Sequence, residues 1–356
     1  MPVNFINQFG GLLIIMKNRI FGLVMASVLT VSVFCGCGAS RMAADSDQKG
    51  GSAPQNAANA SKYSIVCTTF PQYDWIRNII GGDSDKFQLT MLLDQGMDLH
   101  SYQPTAEDIA KIADADMFVY VGGESDGWVD SALKEATNKD MKIVNMLDAL
   151  ETAVKEEEVV PGMQAEEEEE GEEGEEGPEY DEHVWLSLKN AVALTNVLAD
   201  NIQALDPDNK SDYMENAGKY VDELNDLDGR YELTVSKGKR QAILFGDRFP
   251  FRYMADDYGL TYYAAFVGCS AESEASFETI TFLAQKVDEL KLPVILTIEG
   301  ADHSIAESIK KTTDSKNQEI LTMNSMQSVT AKAVADGETY LNVMEDNLNV
   351  LSQALN

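Results

Sequence analysis

The sequence predicts an α/β protein with two small lobes of βαβ type and mostly parallel sheets. In each half of the chain, short apolar runs with strand character alternate with helical patterns of about ten residues. Such alternation is typical of parallel strands joined by crossover helices, with the sheet covered on both faces. A long helical pattern separates the two halves, so we expect the strand ends of the two lobes to face each other across a cleft.

The composition excludes nucleic acid as a partner. The chain has 356 residues and a formal net charge of -33, and contacts to phosphates need a basic face that this sequence lacks. Its 44% hydrophobic content can fill one or two sizeable cores. Four cysteines are too few for a disulfide scaffold. Cys67 and Cys269 stand alone in strand-like surroundings, where we expect small buried apolar residues, and a bond between the two stays possible.

Residues 1–37 have the pattern of a secretory signal. The apolar run 20–34 is too short to span a membrane and ends in a sequence similar to a bacterial lipoprotein box. We therefore expect export, with a lipid on Cys37 that anchors the chain to the outer face of the bacterial cytoplasmic membrane, at the cell surface or in the periplasm. Met16, which directly precedes the basic stretch, is the expected true start. Residues 38–61 are small and polar, which predicts a flexible tether.

The first lobe is expected over 62–205. Its strand-like runs are 64–68, 88–93, 117–121 and 142–146. Within this lobe, the segment 156–182 is rich in glutamate and glycine, and like charges at this density cannot bury a core. We expect this acidic segment to be a disordered loop.

A long helix is expected over 206–236. Asp206 suits the cap and Pro207 the first turn. Apolar residues then repeat at steps of four and three and form one stripe: Tyr213, Ala217, Tyr220, Leu224, Leu227 and Tyr231. The second lobe is expected over 237–356, with strands at 241–245, 261–266, 294–298 and 319–322 and helices at 251–257, 276–290, 304–313 and 337–354.

The chain has only three histidines, and each lies on a predicted loop. His100 follows the second strand, His183 ends the acidic segment, and His303 follows a strand of the second lobe. Neutral imidazole is the commonest transition-metal ligand near neutral pH, so loop histidines from distant parts of a fold indicate a metal site. The alternative for each is a helix cap or a local hydrogen bond.

The residues around the first two histidines carry a family resemblance. GMDLHSYQPTAEDIAKIADADMFVYVGG and HVWLSLKNA resemble the two histidine motifs of the zinc- and manganese-specific substrate-binding proteins of ABC transporters. Further matches follow in the family's order, so that the resemblance covers roughly 61–356: TTFPQYDWI, LDPDNKSDYMENAGKYVDEL, YMADDYGL and ETYLNVMEDNLNVL. The resemblance implies two lobes joined by one long linker helix, with a metal cleft between them.

The resemblance implies His100 and His183 as the first two metal ligands. The third family ligand, a histidine or glutamate, stands five positions before the tyrosine of a pattern like HxAFxY. The ungapped position here is Arg248, a cation that cannot ligate a metal. Asp247 replaces the ligand if the loop is one residue longer, since a carboxylate is a normal zinc ligand. Otherwise Asp247 is a turn residue, paired with an arginine.

The fourth ligand position departs from the family as well. The family's late carboxylate falls in MNSMQSVT, where the amides Asn324 and Gln327 stand, and neutral amides are poor partners for zinc. Glu299, at the end of a predicted strand, could reach the cleft and restore a negative charge. His303 lies just beyond it, after Asp302, whose place before a helix favours capping.

Together these features predict a lipid-anchored, monomeric binding protein that captures a divalent metal ion and delivers it to an ABC permease, without catalysing a reaction. Zinc is the expected ion and manganese the alternative, because zinc binds more tightly in the Irving–Williams order. Two other functions stay open: an adhesin-like surface lipoprotein with a degenerate metal site, and an extracytoplasmic metalloenzyme, although no HExxH or GxSxG pattern supports the latter. The acidic segment would either collect cations weakly or be a solvated insertion.

Overall fold

The structure, a computed structural model, describes residues 62–83, 85–164, 179–270, 274–300 and 302–356. All of them belong to one compact unit, Ala57–Asn356. The predicted signal, Met16, Cys37 and the tether at 38–61 lie outside the described residues. Within the described ranges, no helix is long and apolar enough to cross a membrane.

The first half of the chain (62–209) contains a four-stranded parallel sheet. Its strands are β1 (Tyr63–Cys67), β2 (Phe87–Met91), β3 (Met117–Tyr120) and β4 (Lys142–Asn145), in the order β2-β1-β3-β4. The helices between and after them are α1 (Phe70–Ile80), α2 (Ala106–Ala113), α3 (Val129–Lys134) and α4 (Met146–Leu150). The predicted α/β class with parallel strands is therefore confirmed. Cys67, at the end of the central strand β1, is fully buried, as expected.

Two longer helices follow, α5 (Leu188–Leu205) and α6 (Lys210–Lys237). The 28 residues of α6 bury every member of the predicted apolar stripe, from Tyr213 to Tyr231. The helix begins at Lys210 rather than at 206 because a 3-10 turn, Pro207–Asn209, comes first. Asp206 does not cap the helix; its Oδ2 accepts a hydrogen bond from the Tyr213 hydroxyl at 2.7 Å.

The second half (238–356) contains short parallel strand pairs. The strands are β5 (Ala242–Leu244), β6 (Arg248–Phe249), β7 (Thr261–Tyr263), β8 (Phe266–Val267), β9 (Val294–Ile298) and β10 (Glu319–Met323). The pairs are β5 with β7, β6 with β8, and β9 with β10, and a bridge from Phe245 to Leu296 sets β5 beside β9. The expected strand at 261–266 is thus divided between β7 and β8.

Five helices are described in the second half, and all but the short, unpredicted helix at Ala331–Ala335 lie close to their predicted places. They are α7 (Arg252–Tyr258), α8 (Phe277–Leu290), α9 (Ser304–Thr312), α10 (Ala331–Ala335) and α11 (Tyr340–Leu355). The last of these packs against the long helix α6, which also packs against α1 and α5. The packing of α6 against helices from both halves places it at the centre of the unit.

One buried core contains residues of both halves. Trp75 of α1 packs edge-on against Tyr340 of α11, with ring centroids 5.3 Å apart. Trp185 Nε1 donates a hydrogen bond to Ser325 O at 2.8 Å, and the Tyr340 hydroxyl donates to Trp185 O at 2.6 Å. Because the halves share this core, the lobe boundaries at 205/206 and 236/237 stay predictions.

The two ends of the acidic segment 156–182 have defined structure, which corrects the expectation that all of it is disordered. Glu156 and Tyr180 form an antiparallel bridge, and Glu157 N donates a hydrogen bond to Glu179 O at 2.8 Å. Farther along, Gln164 N donates to Ala265 O at 2.9 Å. Backbone pairing depends little on side-chain charge, which explains why the glutamates do not prevent it. Residues 165–178 lie outside the described residues.

Candidate metal site

His100 lies on a short 3-10 helix, Leu99–Ser101, in the loop after β2. Asp98 caps this turn, because its Oδ1 accepts a hydrogen bond from His100 N at 3.0 Å. The turn places the imidazole inward, with only 10% of the side chain exposed. The next helix, α2, then begins at a reciprocal cap between Thr105 and Asp108, which fixes the far end of the loop.

His183 is fully buried at the point where the chain leaves the acidic segment. Asp181 holds it twice: Oδ1 accepts hydrogen bonds from His183 N and from Nδ1, each at 2.9 Å. The carboxylate of Asp181 is itself buried. A carboxylate on Nδ1 leaves the proton on that nitrogen and the lone pair on Nε2.

The two rings meet tip to tip, with 3.1 Å between His100 Nε2 and His183 Nε2. Ser125 Oγ lies 2.7 Å from His100 Nδ1, and Glu182 Oε2 lies 3.6 Å from the same nitrogen. With Nδ1 protonated in both rings, both Nε2 lone pairs point at the same small volume. Two nitrogens bound at 2.0–2.1 Å to a tetrahedral zinc would lie about 3.3 Å apart. The observed separation is therefore close to that of a metal-ligand pair.

Glu182 is placed behind His100 by a close approach of two loops. Ser125 N donates a hydrogen bond to Glu182 Oε1 at 2.9 Å, and Glu182 is 2% exposed. Gly123 has φ +79, and a Cβ at this position would come 2.3 Å from Glu182 Oε1. Only glycine therefore fits there, both for its backbone conformation and for space. Within the described residues, Glu182 Oε2 has no hydrogen-bond partner.

Cys269 joins the histidine pair from the second half of the chain. Its Sγ and one ligand nitrogen from each of His100 and His183 all lie within 4.8 Å of one another. The cysteine is half-buried, and its backbone N donates a hydrogen bond to Glu157 Oε1 at 3.1 Å. His100 and Cys269 line a cavity of about 220 Å³ together with Glu124, Glu157, Glu179 and Glu182. This site therefore has a cavity rich in carboxylates on one side and the buried His183 on the other.

Burial is the largest cause of the pKa shifts at the site. It lowers the pKa of His100 to about 3, with a further lowering from neighbouring His183. It raises the pKa of Glu182 to about 7, which the hydrogen bonds from Ser125 oppose. It also raises the pKa of the Cys269 thiol, and the nearby carboxylates of Asp181 and Glu157 add to this. The His100 imidazole is therefore neutral at physiological pH, which is the form that binds a metal.

The structure does not bring Asp247 or Glu299 into this group of ligand atoms. Asp247 Oδ1 accepts a hydrogen bond from Arg248 N at 2.9 Å, and its Oδ2 accepts one from Ile298 N at 3.2 Å. Glu299 accepts from Ser325 N and from Ser325 Oγ, both at 2.7 Å. Because the oxygens of both carboxylates are bound within the second half, their role as metal ligands stays a prediction that this geometry does not support.

The other residues considered from the sequence also have local partners. Arg248 forms an ion pair with Asp98, directly beside the turn that carries His100. His303 is the N-cap residue of α9 and has φ 60, and Asp302 Oδ1 accepts a hydrogen bond from Ser304 N at 2.9 Å. Asn324 Oδ1 accepts from Met326 N at 2.8 Å. Gln327 is buried, and its amide atoms have no hydrogen-bond partner among the described residues.

Sequence reasoning missed the two carboxylates that hold the rings and the cysteine beside them. Asp181 and Glu182 were assigned to the solvated acidic segment, yet both are 2% exposed. The signal was their position directly before His183 in DEHVW. Cys269 was expected to be a buried apolar residue; it is instead half-buried beside two imidazoles. Cys67 and Cys269 are both free thiols, so the possible bond between them is not formed.

Comparison with known families and sequences identifies zinc-binding proteins as relatives of this chain. The family model ZnuA, described as "Zinc-uptake complex component A periplasmic", matches residues 65–354. The zinc-binding lipoprotein AdcA of Streptococcus pneumoniae is 32% identical over 293 residues, which cover 82% of this chain and 56% of that protein. This chain therefore spans only about half the length of such relatives. The high-affinity zinc uptake system protein ZnuA of Bacillus subtilis is 31% identical over 320 residues, covering 90% of this chain and 92% of that protein.

Comparison with solved structures gives the same fold. The Zn(II)-bound ZnuA-like domain of Streptococcus pneumoniae AdcA superposes with a TM-score of 0.63 at 28% identity, covering 83% of this chain and 99% of that domain. The metal-dependent lipoprotein YcdH of Bacillus subtilis gives a TM-score of 0.66 at 26% identity, with 83% and 99% covered. The α/β architecture with its long helix is thus one already known from solved metal-binding proteins.

Proposed function

Because this chain belongs to the ZnuA family of zinc-uptake components, as its histidine motifs predicted, we propose that it captures a zinc ion outside the cytoplasm and delivers it to an ABC permease. The ion is cargo, so the protein binds and releases it without catalysing a reaction. The relatives are zinc-binding transport components, which supports this reading over an enzyme. Manganese is the alternative cargo, and imidazole ligands favour zinc over it.

The pair of histidines is the observation that carries the proposal. His100 Nε2 and His183 Nε2 lie 3.1 Å apart, and each ring has an oxygen partner on Nδ1. With Nδ1 protonated in both rings, the two Nε2 lone pairs repel each other at this distance, and a cation between them removes that repulsion. Outer partners that fix ring orientation are typical of metal-ligating histidines.

The different exposure of the two rings suggests how the ion enters. His183 is fully buried, whereas His100 lines the cavity of about 220 Å³. The cavity carries four glutamates, and the negative charge of the two exposed ones, Glu124 and Glu179, attracts a divalent cation. We therefore expect the ion to bind His100 first and then to gain His183 as its second ligand. Release would follow the reverse order, with the bond to His183 broken first.

The proposal includes the location and the partner. The permease is the partner, and a lipid on Cys37 would keep the protein at the outer face of the cytoplasmic membrane. One protein chain would act as a monomer with one ion. Metabolic labelling with a fatty acid tests the anchor: label is expected on the wild type and not on Cys37→Ala, and label on that variant would contradict it.

Zinc titration against a competing chelator tests the metal site. We expect one ion per wild-type chain. His183→Ala and His100→Ala should each weaken binding at least about a hundredfold, because loss of a ligand exceeds the roughly 10–100-fold cost of losing an outer partner. Zinc-limited growth of cells that carry these variants should fail in parallel.

The third histidine provides the matched control. His303 lies outside the pair and has φ 60, so His303→Asn is the suitable substitution because asparagine tolerates this backbone conformation. This variant should bind zinc as the wild type does. Equal affinities for the wild type and the His100 and His183 variants would overturn the proposed function.

A further inference from the structure

We infer that Cys269 supplies a thiolate as the third zinc ligand, so that this chain holds its ion with two imidazoles and one sulfur. The inference rests on the proposed function, because it specifies the same site. The inference goes beyond the proposed function because it names a sulfur ligand, whereas the family resemblance suggested only histidine or carboxylate ligands. The consequence is a softer site that rejects manganese.

The position of Cys269 is the first argument. Its Sγ lies within 4.8 Å of a ligand nitrogen on both histidines. In a tetrahedral zinc site, with Zn–S of about 2.3 Å and Zn–N of about 2.0 Å, sulfur and nitrogen lie roughly 3.5 Å apart. The Cys269 side chain has one rotatable bond, so its sulfur can move relative to both imidazoles while the backbone stays in place.

The backbone before Cys269 is held against the buried ring. A Cβ on Gly268 would come within 3.0 Å of both His183 Cε1 and Nδ1, so this segment touches the imidazole directly. A larger residue would push the loop away from the site. The hydrogen bond from Cys269 N to Glu157 Oε1 fixes the other side of the turn. These two contacts therefore hold the backbone of Cys269 beside the buried imidazole.

The alternatives for the third ligand are already engaged. Arg248, at the position where the resemblance expects a ligand, pairs with Asp98. The oxygens of Asp247 accept two backbone N–H groups, and those of Glu299 accept from Ser325. Recruiting either carboxylate would leave these buried or half-buried donors without a partner, which costs about 1–3 kcal/mol each. Cys269 would give up only the interaction of its thiol with Glu157, and the thiol would release its proton as the sulfur binds the ion.

The second cysteine shows what a purely structural thiol looks like in this chain. Cys67 is fully buried at the end of β1, and its Sγ donates a weak hydrogen bond to Thr90 O at 3.3 Å. It is not part of the group formed by the two histidines. Cys269, by contrast, lines the cavity. This difference makes Cys67 the natural control for Cys269.

A thiolate changes which ions the site prefers. Sulfur is a soft ligand that suits zinc, cadmium and copper(I), whereas manganese prefers oxygen ligands. It also contributes a negative charge beside the cation, which two neutral imidazoles do not. The expected selectivity is therefore strongly for zinc over manganese, and it should decline when the sulfur is removed.

Cobalt(II) replaces zinc in such sites and reports sulfur directly through a thiolate-to-cobalt charge-transfer band in the near ultraviolet. The full chain, kept reduced with a phosphine, is loaded with cobalt(II). We expect the band in the wild type and in Cys67→Ser, and its loss in Cys269→Ser. Zinc affinity should fall at least about tenfold in Cys269→Ser, and the ratio of zinc to manganese affinity should fall with it.

The outcomes separate this inference from the proposed function. If His183→Ala abolishes zinc binding while Cys269→Ser keeps the wild-type spectrum and affinity, the thiolate ligand is wrong and the proposed function stands. If neither His183→Ala nor His100→Ala changes zinc binding, the proposed function fails. A band that survives in Cys269→Ser but disappears in Cys67→Ser would also overturn the inference, since the sulfur would come from the other cysteine.

Discussion

The two sides of the metal site are built in different ways. On the side of the first half, His100 and His183 have oxygen partners behind their rings and are held before any ion arrives. On the side of the second half, Arg248, Asp247 and Glu299 form contacts with protein groups, and Cys269 is the one described residue that reaches the pair. Under the proposed function and the inferred thiolate ligand, the first side would therefore determine where the ion binds, and the second side would determine which ion is preferred.

This difference has a physical origin. A ring fixed by a carboxylate loses little entropy when it binds a metal, because folding has already ordered it. The half-buried side chain of Cys269 has one rotatable bond, so its sulfur can adjust its position to the ion. The first side, which is buried, therefore holds its ligands in position. On the second side, the type of ligand can change with little effect on the core.

The largest effect on this comparison is expected from Asp181→Asn, which leaves both ring ligands present. The amide cannot favour the Nδ1–H tautomer of His183 as a carboxylate does, so zinc affinity should fall about 10–100-fold. Chelator competition measures it. Asp140→Asn, the same substitution at an exposed aspartate outside the cavity, is the control and should change affinity less than about twofold. A change under twofold for Asp181→Asn would mean that the first side is not positioned by its outer partners.

A smaller effect on affinity, about tenfold, is expected from Glu182→Gln. Its effect on stability should depend on pH. Burial raises the pKa of Glu182 from 4.5 to about 7, so its contribution is fully present below 4.5 and is lost as pH rises through about 7. Between pH 5 and pH 8, the metal-free wild type should lose up to about 3 kcal/mol of unfolding free energy relative to the variant.

Urea unfolding in excess chelator at the two pH values measures this difference. Glu124→Gln, on the same cavity but exposed, serves as the control and should follow the wild type. Parallel pH dependence in the wild type and Glu182→Gln would show that the carboxyl does not remain buried in the metal-free protein.

The smallest effect on affinity is expected from Asp247→Asn and Glu299→Gln, on the second side. Both should change zinc affinity less than about twofold, because their oxygens bind backbone and hydroxyl donors instead of an ion. Each should lower the melting temperature by several degrees, since loss of a charge-assisted hydrogen bond costs about 1–2 kcal/mol. A tenfold loss of zinc affinity in either variant would restore that carboxylate as a ligand and contradict the division between the two sides.

Much of the fold could be predicted from the sequence because its signals are local. Alternating strand and helix patterns located the parallel strands, and the stripe from Tyr213 to Tyr231 located the long helix. The meeting of His100 and His183 was expected because both residues stand on loops next to motifs that resemble one family. Each of these signals can be recognised within a short stretch of the sequence.

The remaining part of the site depends on burial, which short windows do not show. Asp181 and Glu182 continue a run of glutamates in the sequence, and only the fold separates them from it: Gly123 and Ser125 close over Glu182, and Asp181 is buried against His183. Cys269 has neither a second cysteine nor a histidine near it in the chain, so no spacing marks it as a ligand. When tertiary packing alone brings a ligand to its partners, the spacing of residues along the sequence does not reveal it.

Under the proposed function, the core that both halves share has a consequence for transport. Because Trp185, Ser325 and Tyr340 are bonded across the halves, loading and unloading should leave the two halves in nearly the same arrangement. A carrier without cargo would then dock on the permease almost as well as one with cargo and would block it. Uptake by a reconstituted permease should accordingly slow as apoprotein is added, so that the ratio of filled to empty carriers, rather than their total number, governs the rate.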